Sequence, residues 1–155
     1  MSAFLRSFRY AFRGLRACLR ERNFRFQLTL AAYMHGFLLV HGWFTLTRGE
    51  WAALIVATVL VLAAEAFNTA IEAVVDLASP DRHPLAARAK DIAAAAVLVC
   101  SLGALAAGVV LLWQTEAFAA MLAYYRQRPA MLVPLGISLV GAAGFIWGIG
   151  RKKAR

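Results

Sequence analysis

An acidic side chain inside a long apolar stretch is expensive to keep and is retained where it does something. Between residues 51 and 76 the chain is largely apolar, yet Glu65, Asn68, Glu72 and Asp76 stand there at offsets of 0, 3, 7 and 11. At about 100° per residue they fall near 0°, 300°, 340° and 20°, so one helix carries all four on one stripe. A carboxylate held this way suits a general base, and a second suits a divalent cation. The same stripe also fits a set of intramembrane ion pairs or a proton relay, and the residues alone leave that reading open.

The next segment adds complementary groups. Asp81, Arg82, His83, Arg88, Lys90 and Asp91 follow within a few residues of Asp76, and Glu21 is the one acid before residue 50. Carboxylates that hold a cation and bases that hold phosphate therefore meet at one end of the helix. With Trp51 as an interfacial start, about 30 Å of hydrocarbon ends near residue 70 or 71 at about 1.5 Å per residue. Glu72 and Asp76 then emerge at the boundary, and Glu65 lies a turn or two inside it, at the depth of a lipid hydroxyl. No Walker A loop or glycine-rich kinase loop is present, so general motifs identify no nucleotide site.

The elements that position these groups are helices in a membrane. The chain has 155 residues, 62% of them hydrophobic and 16% charged, with a mean hydropathy of +0.66. A soluble domain is nearer about 45–50% apolar and about 25% charged. The shortness leaves no room for a separate soluble catalytic domain. Four spans are expected at about 26–47, 51–75, 92–113 and 129–150, giving an all-α membrane bundle. Residues 1–25 hold seven arginines with Leu5, Phe8, Phe12, Leu15 and Leu19 at steps of three and four. That pattern predicts an amphipathic helix lying on an anionic membrane surface.

Charge sets the expected topology. The side carrying the N-terminal segment, the 76–91 loop and the tail holds 14 of the 17 basic residues. By the positive-inside rule that side is cytoplasmic, with both termini and the 76–91 loop. The net charge of +9 is thereby a membrane signal rather than a nucleic-acid one. Cys18 and Cys100 have no disulfide or metal-ligand spacing. His35 and His41 read as packed or interfacial side chains.

Three blocks carry a family resemblance. Glu65-Ala-Phe-Asn-Thr-Ala-Ile-Glu-Ala-Val-Val-Asp76 resembles the signature of the prokaryotic diacylglycerol kinase and undecaprenol kinase family. The stretch from His83 to Leu98 is similar to its second block, and Arg20-Glu-Arg-Asn-Phe24 to its N-terminal block. The match runs over roughly residues 4–115 in order and spacing. It implies a small trimeric kinase of the bacterial inner membrane, with a surface helix and three spans per subunit and active sites between subunits. The implied reaction is Mg2+-dependent transfer of the ATP γ-phosphate to a lipid alcohol at the cytoplasmic face.

The resemblance also implies roles, residue by residue. Glu65 matches the general base that meets the lipid hydroxyl. Glu21 and Glu72 match the magnesium ligands, which also contact the nucleotide. Tyr10, Asp81, Arg82, His83, Lys90 and Asp91 match nucleotide-contacting positions. Asn68 and Asp76 match supporting polar positions on the same face. The Glu-Arg-Asn-Phe block, the Asp76-Leu-Ala-Ser-Pro loop, His83-Pro84-Leu85 and Ala94 look more like the undecaprenol branch than the diacylglycerol branch. Undecaprenol is therefore the expected acceptor and diacylglycerol the alternative. Without the resemblance, a transport module or an assembly subunit using the same acids is the competing class. The family pattern ends near Gln114, so residues 1–115 are expected to form the kinase domain. Residues 116–155 are expected to be a linker and an accessory fourth span with a basic tail.

Overall fold

A computed structural model describes residues 3–81 and 83–148. Arg82 and the basic tail 151–155, both counted in the topology above, lie outside the described residues. Six α-helices follow one another: α1 Ala3–Cys18, α2 Arg22–His41, α3 Arg48–Ala78, α4 Pro84–Leu112, α5 Thr115–Gln127 and α6 Leu132–Trp147. Among the described residues there is no strand. The chain is an all-α bundle, as its composition requires.

The surface helix is shorter than residues 1–25. Tight three-residue hydrogen bonds from Arg20 N to Ala17 O and Glu21 N to Cys18 O end α1, and Glu21 is extended (φ −75°, ψ 133°). Arg22 therefore starts α2, and residues 22–25 belong to the first core helix. Phe4, Leu5, Phe8, Phe12 and Leu15 of α1 stay exposed. That suits a helix whose apolar face meets lipid.

α2 ends earlier than the expected span 26–47. Gly42 takes the left-handed conformation at φ 60° and caps the helix after His41. α3 then opens on a capping box in which the Glu50 N–H donates to Thr47 Oγ1 at 3.3 Å and the Thr47 N–H donates to Glu50 Oε2 at 2.6 Å. Residues 43–47 between these signals are not helical.

Among the described residues three helices are long and apolar enough to cross a membrane: Arg48–Ala78, Pro84–Leu112 and Pro129–Trp147, the last including a 3-10 turn at Pro129–Met131. α2, with 20 residues, spans about 30 Å but carries Arg22, Arg25, Gln27, His35 and His41, which lower its hydropathy. At 31 and 29 residues, α3 and α4 are roughly 46 and 44 Å long. Both exceed the hydrocarbon thickness of about 30 Å, so their ends project beyond it. They form the main antiparallel pair of the bundle. Ala93 is buried in it, a small side chain of the kind that lets helix backbones approach. Much of the large apolar surface remains outward-facing, as lipid contact allows.

The C-terminal part differs most from expectation. The expected linker is a helix, α5, held to the α2–α3 connection. The Gln114 carboxamide donates to Thr45 O at 3.0 Å and accepts from Thr45 N at 3.1 Å. His41 and Trp43 stack at 4.2 Å, and the Tyr124 ring stands edge-on to both. His35 donates or accepts at Thr58 and stacks on Trp51, so both histidines pack as expected.

α6 runs against α2. Arg25, counted above as a surface charge, is instead buried at 5% exposure, its guanidinium over the Phe145 ring at 6.0 Å and against Gly148. Gly148 ends α6 at φ 69°, and an added Cβ would lie 3.0 Å from an Arg25 nitrogen. Gly148→Ala is therefore expected to destabilise the docked α6 by roughly 1 kcal/mol, through backbone strain and displaced Arg25. Thermal unfolding of the purified protein in detergent, compared with a Gly136→Ala control in open space, checks this.

Candidate active site

The four polar residues of α3 share a face, but their exposure is graded. Glu65 and Asn68 are buried at 3% and 7% exposure, Glu72 is half-buried and Asp76 is exposed. This gradient follows from α3 leaving the bundle at its C-terminal end. Asn68 Nδ2 donates to Glu72 Oε1 at 2.9 Å, which orients the Glu72 carboxylate. Asn68 Oδ1 is buried with no partner, an acceptor facing the same cluster. The Thr69 hydroxyl donates to the Glu65 carbonyl at 3.0 Å, one turn back along the helix.

A second chain segment completes the cluster. The Asn23 side chain lies beside the Glu65 carboxyl, and Glu72 and Glu21 lie within electrostatic range of it. The extended backbone at Glu21 between α1 and α2 brings this segment to α3. Asn23 is a site residue that the sequence reading does not single out. Its signal is the block Arg20-Glu-Arg-Asn-Phe24, where attention falls on the acid.

The three carboxylates give the cluster its character. Like charges near one another favour a cation among them. Among the described residues no group of three His, Cys, Asp or Glu side chains forms a ready-made metal site. Magnesium does not need one, because it is held by one or two carboxylates together with substrate phosphates and water. Glu21 and Glu72 are carboxylates of that kind, each within electrostatic range of Glu65.

The neighbouring loop forms a surface cavity of about 550 Å3 lined by Asp76, Ser79, Asp81, His83, Ala87 and Lys90. Lys90 pairs with Asp76 Oδ1, joining the starts of α4's charged turn and α3's exposed end. His83 Nδ1 accepts from the Leu85 N–H at 3.2 Å and, with Pro84 at the first position, caps α4. The Ser79 hydroxyl donates to Asp81 O at 3.0 Å and closes the turn. Asp76, Asp81, His83 and Lys90 are thus brought together. Tyr10 is exposed on α1 under the Arg13 guanidinium at 5.9 Å, and Asp91 is exposed on α4, next in sequence to Lys90. Arg82 lies outside the described residues.

The fold and the carboxylate cluster define an all-α membrane protein with its chemistry at one end of the bundle. The model of the prokaryotic diacylglycerol kinase family matches residues 9–112. The diacylglycerol kinase of Escherichia coli (strain K12) is 36% identical over 105 residues, covering 67% of this chain and 84% of that one. The undecaprenol kinase of Bacillus subtilis (strain 168) is 39% identical over 102 residues, covering 64% and 79%. A diacylglycerol kinase of Synechocystis is 40% identical over 109 residues, covering 68% and 60%.

The chain belongs to the prokaryotic diacylglycerol kinase family and is a lipid kinase. That decides against the transport and assembly readings. The family match stops at the last residue of α4, so α5 and α6 lie beyond it.

Proposed function

We propose that the protein transfers the ATP γ-phosphate to the hydroxyl of undecaprenol at the cytoplasmic membrane face, in a Mg2+-dependent reaction. The observation that carries this reading is the buried Glu65 carboxyl, with Asn23 beside it and Glu21 and Glu72 within electrostatic range. In the mechanism, Glu65 accepts the proton of the lipid hydroxyl as that oxygen attacks the γ-phosphorus, and ADP leaves. Asn23 holds Glu65 in orientation, and Asn68 does the same for Glu72. Glu21 and Glu72 would hold magnesium, which would supply the neutralisation of phosphate charge that is most of what phosphoryl transfer requires. Lys90 leaves Asp76 to meet phosphate oxygens, and Asp81, Arg82 and His83 border the nucleotide.

Tyr10 and Asp91 reach the nucleotide across a subunit boundary in a homotrimer. Residues 1–115 form the kinase unit and 116–155 an accessory segment. The inner membrane, with both termini inside, follows from the uneven distribution of basic residues. Diacylglycerol is the second acceptor reading, favoured by the names of the relatives in Escherichia coli and Synechocystis. Assaying the full chain in mixed micelles with each lipid in parallel separates the two. A kcat/KM at least about tenfold higher for undecaprenol is expected, the discrimination a hydrocarbon-reading site can supply. A preference for diacylglycerol overturns the acceptor assignment.

A further inference from the structure

The stripe of α3 that carries Glu65 does not end there. Leu54, Ala57, Thr58, Val61 and Leu62 continue it toward the opposite end of the bundle, at helical steps of three and four. They form one wall of an apolar groove of about 450 Å3. Ser101, Ala104, Leu105, Gly108, Val109 and Leu112 form a second wall on one face of α4. Gln27, Leu30, Ala31 and Met34 of α2 form the third. The polar groups in these walls are used up: Thr58 donates to Leu54 O at 2.8 Å and meets His35, and Gln27 faces Ser101 at 3.5 Å. One face of one helix is therefore apolar from Leu54 to Leu62 and acidic from Glu65 onward, the polarity profile of a lipid alcohol.

The far end of the groove is lined by Trp113 and by Phe118 of α5, beyond the family match and both partly exposed. The Phe118 segment is held in place. Phe118 stands edge-on to Phe44 at 5.4 Å, Ala117 is buried at 3% exposure, and Gln114 is paired with the Thr45 backbone. From Leu54 to Glu65 is eleven residues, roughly 16 Å of helix.

We infer that this groove holds the hydrocarbon tail of a polyprenol acceptor, and that Phe118, on the C-terminal extension, is a specificity-determining residue that sets how much tail is bound. The inference rests on the lipid kinase reading and extends it to the C-terminal segment. A single groove on the α3 face that also carries Glu65 takes one chain, which is why a one-tailed alcohol is its occupant rather than a two-tailed one.

The test uses the full chain in micelles with polyprenols of graded length and with diacylglycerols. For the unaltered protein, kcat/KM rises with prenol length until the groove is filled and then levels off. Gly108→Leu fills the groove at a site where an added Cβ meets nothing within 4 Å. It is expected to move the break to shorter prenols and lower the long-to-short kcat/KM ratio by about tenfold, as displaced methylenes lose their burial. Phe118→Ala is expected to move the break to longer prenols.

A length profile with no break, or a break that neither variant moves, overturns the inference while leaving the kinase reading intact. So does a Gly108→Leu protein that changes oligomeric state with an unchanged profile, since a second copy then occupies the groove. Phosphorylation of diacylglycerols alone overturns the occupant. Phosphorylation of no lipid alcohol by the unaltered protein overturns the kinase reading itself.

Discussion

Glu65→Gln is expected to lower kcat by about 10³-fold, within the range of about 10²–10⁴ that a general base supplies. Gln keeps the size of Glu65 and an oxygen beside Asn23. It also removes a carboxylate buried beside two others, so folding and assembly are not expected to suffer. ATP affinity should change little, because Glu65 meets the acceptor rather than the nucleotide. The check is steady-state turnover alongside nucleotide binding and sedimentation of the purified variant. Loss of assembly in step with activity would instead mark Glu65 as a packing residue.

The second large effect concerns the cation. Glu72→Gln leaves an oxygen to accept from Asn68 Nδ2, so the local hydrogen bond survives and only the charge is lost. The Mg2+ concentration for half-maximal activity is expected to rise at least about tenfold, the scale of losses around metal sites. Glu21→Gln should do the same from the other chain segment. If both carboxylates hold one ion, the double variant should lose less than the two single losses combined, since the second removal acts on an ion already poorly held. A Mg2+ titration of the two single variants and the double variant measures this. Independent, fully additive losses would place the two acids at separate tasks.

How much of this was legible beforehand follows from what is local. The α3 stripe depends only on helical spacing, so Glu65, Asn68, Glu72 and Asp76 share a face as the offsets require. The amphipathic α1 is legible for the same reason. Gly42 and the Thr47-x-x-Glu50 pattern carry the signals that break the first span, but a hydropathy reading runs through them because the intervening residues are uncharged. The linker's helicity was hidden by its mixed composition, since α5 is stabilised by tertiary partners at Thr45, Phe44 and Trp43. Asn23 and Arg25 were illegible for a further reason. Their roles are set by contacts with Glu65 and with Phe145 and Gly148, distant in sequence, which no periodicity encodes. The nucleotide-side residues were legible as a cluster for Asp76, Asp81, His83 and Lys90. Tyr10 and Asp91 came from resemblance alone.

The central claim is that this carboxylate cluster phosphorylates a lipid hydroxyl with ATP. The most direct measurement follows label from γ-labelled ATP into lipid, using the purified full chain, Mg2+ and undecaprenol, with the Glu65→Gln protein beside it. The predicted result is a labelled lipid monophosphate that requires Mg2+ and is lost in the Glu65→Gln protein. Label found only in inorganic phosphate, or equal lipid labelling by both proteins, would contradict the account.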